Sequence, residues 1–251
     1  MMPEVSIVLP VYNAKSFVDE TIESVINQTY TNWELIVVDD CSSDGTFQYL
    51  QRKYGSLPNI KIFTNQTNSG AGVTRNRGLK EALAEKIAFL DADDIWLPTK
   101  LSIQIAHMTM NNSAIIHTSY AFIDEAGNRI AGKMNVSPIV DLGSYMRNTE
   151  IGMSTSLINR RLVGNIQFNS MRTRQDTKLW LTLLERGFFS EGIDEILVYY
   201  RIRNGQISGN KFKIAWRTFK LYWSVDSISW YNRLINFMYY AFNGVLKRLN
   251  K

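Results

Sequence analysis

The sequence predicts an α/β fold with a mostly parallel central sheet flanked by helices and followed by an amphipathic helical tail. Over the first 110 residues, short apolar runs rich in β-branched side chains alternate with segments of helical periodicity. Such alternation is typical of parallel strands joined by right-handed crossovers. Beyond residue 210, aromatic and basic residues dominate. The 251 residues, 45% of them hydrophobic, suffice for one large α/β domain.

Each predicted strand is a short apolar run that ends at proline, at carboxylates or at turn residues. Strands are expected at residues 5–10, 33–40, 60–63 and 87–90. Helices are expected at residues 17–27, 47–54 and 75–84, the first with Ser16 as its N-cap. A hairpin of residues 115–123 and 128–131, and a strand at 152–159, are expected further along the chain.

Three carboxylates follow the fourth predicted strand, where the chain must leave the core. Asp91, Ala92 and Asp93 form a D-x-D triplet, and Asp94 comes next. In open α/β sheets, ligands bind outside the carboxyl ends of the strands. The triplet therefore predicts a site at which Asp91 and Asp93 hold a hard divalent cation on substrate phosphates. The simpler interpretation is an acidic loop before a helix, with Asp94 or Thr99 as the N-cap.

Polar residues at three other strand ends are expected on the same edge of the sheet. A second acidic pair, Asp39 and Asp40, ends the second strand, and the turn after the first strand and the loop after the third add an aromatic ring, backbone amides and a cation. The contributing residues are Pro10, Tyr12, Asn13, Gly70, Ala71, Gly72 and Arg75. This combination predicts a nucleotide-binding site.

Motifs that the chain lacks or alters argue against other classes of protein. In residues 70–75 an arginine stands where a dinucleotide-binding fold needs its third glycine, and no P-loop sequence occurs. A receiver-type signalling domain would carry its acidic pair after the first strand, and an aspartyl phosphatase would need threonine in place of Ile95. The single cysteine, Cys41, excludes a disulfide framework and a thiolate zinc site, and two histidines leave little room for a catalytic triad.

Four segments, in order, resemble the successive signatures of family 2 glycosyltransferases. They are residues 5–13, 37–46, 68–79 and 89–94. The resemblance covers about residues 4–205 and implies the GT-A fold, with a nucleotide-sugar half at 1–110 and an acceptor half at 111–209. It also implies that Asp40 contacts the base, usually uracil, and that Asp93 coordinates Mn²⁺ or Mg²⁺ on the diphosphate.

A predicted helix that opens with Gln175 and Asp176 carries the candidate catalytic base. Leu179, Trp180 and Leu183 give this helix an apolar face, and an acidic residue in its first turn is favoured by the helix dipole whether or not it is catalytic. The resemblance implies that Asp176 is the general base. Glutamine stands at position 175, where the family has an acid, so the task of that carboxylate must be met otherwise.

Two arginines near residue 200 are candidate phosphate ligands. Residues 199–208 resemble the family's loop that closes over the diphosphate. Because Arg203 stands where many members have histidine, Arg201 or Arg203 is expected to pair with phosphate rather than to bind metal. The alternative is a pair of solvated arginines.

Residues 210–251 are predicted to form a basic, aromatic helical tail that associates with the membrane. They hold eight Lys or Arg and eleven aromatic residues against one acid, Asp226. This composition is typical of helices that lie in a bilayer interface. Nucleic-acid binding is disfavoured because the apolar residues are too many for a phosphate-facing surface. A competing expectation is that the tail packs on the catalytic domain as core.

Together these features predict an inverting, metal-dependent glycosyltransferase of bacterial surface polysaccharide synthesis. Its expected donor is a nucleotide-sugar, with UDP as the expected carrier, and its expected acceptor is a saccharide on polyprenyl diphosphate. No membrane-spanning run or signal peptide is found, so the expected location is cytoplasmic, on the inner face of the cell membrane. The alternative is a non-catalytic module that binds a nucleotide-sugar or scaffolds a polysaccharide assembly complex.

Overall fold

The computed structural model describes residues 2–203 and 211–249. Its strands are β1 (Val5–Val11), β2 (Trp33–Asp39), β3 (Ile60–Thr64), β4 (Lys86–Phe89), β5 (Ile95–Trp96), β6 (Ile115–Ile123), β7 (Arg129–Met134), β8 (Ile139–Val140), β9 (Leu157–Asn159) and β10 (Ser190–Arg201). Its helices are α1 (Val18–Ile26), α2 (Thr46–Tyr54), α3 (Ala71–Glu81), α4 (Lys100–Asn111), α5 (Leu142–Arg147), α6 (Arg160–Val163), α7 (Gln175–Glu185), α8 (Lys211–Trp223) and α9 (Trp230–Leu249).

One central sheet organises the chain, in the strand order β3-β2-β1-β4-β9-β6-β10-β5, with β7 on β6 and β8 on β10. The four predicted N-terminal strands pair in parallel, and β6 pairs in parallel with β10. The short strand β9 joins these two parallel groups by antiparallel pairing with β4 and β6. The carboxyl ends of β1 and β4 therefore lie side by side, as the sequence predicts.

The central strands are buried on both faces, which explains why they read as continuous apolar runs. Along β1, Val8 packs on one face of the sheet, while Ile7 and Leu9 pack on the other. The first face is covered by α5, α7 and α8, and the second by α1, α2 and α4.

Several predicted element ends are wrong. The strand β1 runs through Pro10 to Val11, because only β2 pairs with it there and the missing N–H of proline interrupts no second ladder. Helix α3 begins at Ala71, so most of the predicted glycine loop is helical, and only Gly70, with φ of 86°, precedes it. Ser16 is not the N-cap of α1, which begins after Phe17. Thr99 does occupy the N-cap position of α4, although its side chain makes no capping hydrogen bond.

The C-terminal helices pack on the catalytic domain through one face. Tyr222 of α8 and Val225 just after that helix are fully buried in the same core cluster as α5 and α7, and the Tyr222 hydroxyl donates to the Met146 carbonyl at 2.6 Å. From α9, Asn236 is buried and accepts from Arg147 Nε at 2.9 Å. One face of the predicted helical tail is therefore part of the core.

The opposite face of α8 and α9 exposes large apolar side chains to solvent. The exposed residues are Trp216, Trp223, Trp230, Tyr231, Leu234, Met238, Tyr239 and Phe242. Within the described part of the chain, no helix is both long enough and apolar enough to cross a bilayer.

Candidate active site

A cavity of about 520 Å³ opens at the carboxyl edge of the sheet. It brings together residues that the sequence separates by more than 160 positions. The predicted site residues that line it are Pro10, Tyr12, Arg75, Asp91, Ala92, Asp93, Asp176 and Arg203. The others that line it are Ala14, Ala71, Arg172, Thr173, Arg174, Gln175, Tyr200 and Ile214.

The acidic triplet forms one wall, and an arginine contacts each of its two cavity-lining carboxylates. Arg75 Nη2 lies 2.5 Å from Asp91 Oδ1, and Arg203 Nε lies 2.7 Å from Asp93 Oδ2. The Arg75 side chain is 4% exposed, and its Nε and Nη1 have no hydrogen-bond partner among the described residues. Buried donors without acceptors are costly, so this wall suits an anionic ligand that supplies acceptor oxygens.

The carboxylates on this wall are close enough to disfavour one another's ionisation. Burial raises the pKa of Asp93, and the nearby Asp91 charge adds to that effect, although Arg203 opposes it. Burial also raises the pKa of Asp94 well above its ordinary value, with Asp93 and Asp91 contributing. Asp94 is not a helix cap: its carboxylate accepts from Ser154 Oγ at 2.5 Å and from the Arg201 amide at 3.2 Å.

This concentration of negative charge fits a divalent cation, which would relieve the repulsion between the carboxylates. Among the described residues no group of three His, Cys, Asp or Glu is placed to hold a metal alone. Two carboxylates with substrate oxygens completing the shell is the arrangement that Mg²⁺ and similar hard ions prefer. Asp91 and Asp93 therefore fit as the protein's share of a metal site.

Asp40 has an internal role that the sequence did not predict. Its carboxylate accepts from Asn65 Nδ2 at 2.8 Å, from the Ser69 amide at 2.9 Å and from the Gly70 amide at 2.7 Å. It is buried and is not among the described residues that line the cavity. The structure thus gives Asp40 the task of fixing the turn before α3, and the expected base contact is not supported by this geometry.

Asn13 also lies outside the described lining of the cavity. With φ of 47°, its amide donates to Ser42 Oγ at 2.9 Å, and its side-chain oxygen accepts from the Ser43 amide at 2.9 Å. These bonds connect the loops that follow β1 and β2. Asn13 therefore stabilises the loops beside the cavity, and the neighbouring Tyr12 is 52% exposed at the cavity rim.

Arg201 is a buried structural residue in this geometry, and the expectation that it contacts phosphate is not supported. The side chain is fully buried, and its guanidinium donates to the carbonyls of Asp93, Asp124 and Glu125. A carboxylate oxygen of Glu20 lies 2.5 Å from Nη2. Arg201 therefore ties the acidic loop to the hairpin turn, whereas Arg203 lines the cavity.

Asp176 stands in the first turn of α7, as predicted, and lines the cavity. Its Oδ1 accepts from the Thr177 amide at 2.7 Å, whereas Oδ2 accepts no hydrogen bond from the described residues. Beside it, Gln175 also lines the cavity, and its Oε1 is buried without a partner among the described residues.

Sequence reasoning missed Arg172 and Arg174, which line the cavity just before α7. Arg174 adopts a left-handed conformation, with φ of 63°, and Arg172 donates to the carbonyl of Asn68 at 3.0 Å. The R-x-R spacing directly before the helix was the available signal. The two arginines form a local excess of positive charge, because the next acidic residue along the chain is Asp176.

A mostly parallel α/β sheet with a D-x-D sequence just after β4 is the arrangement found in glycosyltransferases with the GT-A fold. The chain belongs to glycosyl transferase family 2, whose domain matches residues 6–219. This confirms the resemblance seen in the four sequence segments.

Two relatives match almost the whole chain. TuaG of Bacillus subtilis (strain 168), a glycosyltransferase named for teichuronic acid biosynthesis, is 37% identical over 98% of both chains. WfaP of Escherichia coli, named as a UDP-Glc:α-D-GlcNAc-diphosphoundecaprenol β-1,3-glucosyltransferase, is 35% identical over 98% of this chain and 96% of its own.

Solved structures share the fold at low sequence identity. Staphylococcus aureus TarS 1–349 with UDP-GlcNAc superposes with a TM-score of 0.74 and 20% identity, over 95% of this chain and 71% of that one. The mannosyltransferase PcManGT of Pyrobaculum calidifontis, with GDP-Man and Mn²⁺, superposes with a TM-score of 0.68 and 14% identity, over 91% and 66%.

Proposed function

We propose that this protein is an inverting glycosyltransferase that moves a sugar from a UDP-sugar to a saccharide linked to polyprenyl diphosphate. The observation that carries the proposal is that one cavity is lined both by Asp91 and Asp93 and by Asp176. Residues suited to a nucleoside diphosphate and a carboxylate suited to a proton thus share one space. We assign residues 1–110 to the donor and 111–209 to the acceptor.

In the proposed reaction, the acceptor hydroxyl oxygen bonds to the anomeric carbon while the bond from that carbon to the diphosphate breaks. Asp176 takes the proton of the attacking hydroxyl, and the nucleoside diphosphate leaves with the electron pair of the broken bond. A general base of this kind contributes about 10²–10⁴ in rate. One displacement inverts the configuration and needs no enzyme nucleophile.

On the donor side, Arg75 and Arg203 supply positive charge. Arg203 is held by Asp93 and lies 4.9 Å from the Phe17 ring centre, so its guanidinium is positioned at the cavity wall. Asp93 and Asp91 would hold Mn²⁺ or Mg²⁺, which when bound stabilises the negative charge on the departing diphosphate. Tyr12, exposed at the rim, is suited to stack against the base.

The names of the relatives support the donor and acceptor classes. The E. coli relative is named for a UDP-Glc donor and a GlcNAc-diphosphoundecaprenol acceptor. The B. subtilis relative is named for teichuronic acid biosynthesis. We infer from them that this protein acts in bacterial surface polysaccharide synthesis.

We further propose that the enzyme is cytoplasmic and binds the inner face of the cell membrane through α8 and α9. Their exposed face carries Trp216 and Trp230, which are 58% and 65% exposed, and cations such as Lys220 lie among these rings. Amphipathic helices that combine aromatic and basic residues bind anionic bilayer surfaces.

A panel of UDP-, GDP- and TDP-sugars, tested first for thermal stabilisation with Mn²⁺ and then for transfer to a lipid-diphosphate sugar, tests the proposal. A UDP-sugar should stabilise the protein and support transfer with inverted configuration at the anomeric carbon. Stabilisation without turnover on any diphosphate-linked acceptor would favour the alternative, a non-catalytic nucleotide-sugar module. Retention of configuration would contradict the single displacement.

A further inference from the structure

Two arginines at the Asp176 side of the cavity are held in place by neutral hydroxyl groups. Arg174 Nη2 donates to the Tyr240 hydroxyl at 2.6 Å, and Arg217 Nη1 donates to Thr173 Oγ1 at 2.5 Å. Neither forms an ion pair with a described carboxylate, and residues 204–210 contain no Asp or Glu. Their charge is therefore oriented but not neutralised.

The arrangement differs from that of the other cavity arginines. Arg75 and Arg203 pair with the acidic triplet, and Arg172 is anchored to Asn68, next to the turn that Asp40 fixes. These three serve the donor wall. Arg174 and Arg217 instead join the loop before α7 to the C-terminal helices.

Both arginines lie where the cavity meets the C-terminal helices. Arg174 lines the cavity two residues before Asp176, and Arg217 follows cavity-lining Ile214 by one helical turn. The neighbour of Arg217 on α8, Trp216, points into solvent. An anion bound here would reach a proton acceptor on one side and an apolar surface on the other.

We propose that Arg174 and Arg217 bind the diphosphate of the lipid-linked acceptor. This inference rests on the proposed function and deepens it, because it assigns a second diphosphate site distinct from that of the donor. In such an acceptor one sugar separates the diphosphate from the attacked hydroxyl. A pair of positioned guanidinium forks suits a diphosphate, since each fork can donate two parallel hydrogen bonds to phosphate oxygens.

Titration calorimetry of the full-length protein with geranyl diphosphate, with the donor site filled by saturating UDP and Mn²⁺, tests the site without requiring turnover. Arg217→Gln and Arg174→Gln should each weaken binding about ten-fold or more, the usual worth of a lost charged hydrogen bond. Arg52→Gln is the matched control: it removes one charge from an exposed position on helix α2, none of whose residues lines the cavity, and its affinity should equal that of the wild type. Geraniol, which lacks the anion, should bind all four proteins equally weakly.

Acceptor kinetics provide the second measurement. With a sugar on a short lipid diphosphate, the acceptor KM should rise in both arginine variants while the donor KM stays constant. With a neutral alkyl glycoside of the same sugar, neither should change. Arg217 is exposed, so its replacement preserves the fold, and Arg174→Lys separates loss of the fork from misfolding.

Wild-type affinity for geranyl diphosphate in both Arg174→Gln and Arg217→Gln, or an equal loss in Arg52→Gln, would overturn the inference. An increase in donor KM would also do so, since it would move the two arginines to the donor. If no form of the protein transfers sugar, the proposed function fails, but the calorimetry still decides whether the diphosphate site exists.

Discussion

The two walls of the cavity handle positive charge in opposite ways. On the donor wall, Arg75 and Arg203 face carboxylates at the end of a sheet strand, and charges are largely compensated within the protein. On the acceptor wall, the side-chain hydrogen bonds that Arg174 and Arg217 make with described residues go to hydroxyls, and the two positions depend on the C-terminal helices. In this proposal the donor wall is fixed by ion pairs beside β4, whereas the acceptor wall depends on contacts between the loop before α7 and the C-terminal helices.

The largest expected effect comes from removing the proton acceptor on the acceptor wall. Asp176→Asn keeps the shape of the α7 start, so UDP-sugar binding should persist while kcat falls by about 10²–10⁴. Single-turnover kinetics and donor calorimetry measure the two quantities. Asp226→Asn, which changes an exposed acid in the turn between α8 and α9, is the control and should be neutral.

Normal turnover in Asp176→Asn would place the base elsewhere. Glu150 and Glu185 are the next carboxylates to test, but both already accept backbone amides, from Ser137 at 3.2 Å and from Ser227 at 3.0 Å. Loss of donor binding in the same variant would instead contradict the separation of the two walls.

A pair of arginine substitutions distinguishes structural from binding charge at the donor wall. Arg201→Met should destabilise the fold by about 1–3 kcal/mol, because three backbone carbonyls and Glu20 lose their common hydrogen-bond donor. Arg203→Gln should leave stability nearly unchanged and weaken UDP-sugar binding. Urea denaturation and calorimetry would show the contrast, and a stable Arg201 variant with weakened donor binding would restore the original phosphate assignment.

Replacing a metal ligand should affect the donor wall alone. Asp93→Asn should abolish the Mn²⁺-dependent part of the stabilisation by UDP, which amounts to about 2.7 kcal/mol at one hundred times Kd. Asp44→Asn, in an acidic loop outside the cavity, is a control whose metal dependence should match that of the wild type. Unchanged metal dependence in Asp93→Asn would contradict the proposed site.

The smallest effect on stability is expected from the exposed aromatic residues of α8 and α9. Serine at Trp216, Trp230 and Phe242 should change the free energy of unfolding by no more than about 0.5 kcal/mol per site, as is usual for surface substitutions, yet reduce flotation with anionic liposomes. Tyr222→Ala, on the buried face, should cost about 3–5 kcal/mol.

Two comparisons complete that experiment. Flotation of the wild type should weaken at high salt, because surface charges contribute to it. A chain that ends at residue 209 should unfold, since it loses the buried side chains of Leu221, Tyr222 and Val225, and a stable truncated protein would show that α8 is dispensable to the core.

The sequence predicts most reliably where neighbouring residues decide the structure. Strands β1 to β4 are apolar runs with turn residues at their ends, and α7 has both a helical apolar face and an acidic first turn, so Asp93 and Asp176 were found at the right element ends. The order of the four motif segments along the chain agrees with the family match over residues 6–219.

The sequence fails where distant partners decide. Arg201 and Arg203 look alike in sequence, but Glu20, the ion-pair partner of Arg201, lies 181 residues away along the chain. Strand β10 is long and has two register shifts against β6, which break the alternation that would have revealed it. Asp40 reads as a free strand-end acid, although three donors that follow β3 occupy its carboxylate.

The hydroxyl contacts of Arg174 and Arg217 also bear on how such enzymes can be recombined. Tyr240 and Arg217 belong to the C-terminal helices, while Arg174 and Thr173 belong to the loop before α7. A chimaera that exchanges only the helices would replace one member of each hydrogen-bonded pair and leave the other unmatched. If Arg174 and Arg217 bind the acceptor as proposed, Thr173, Arg174 and the two helices form one exchangeable unit, and transferring acceptor preference between relatives requires moving them together.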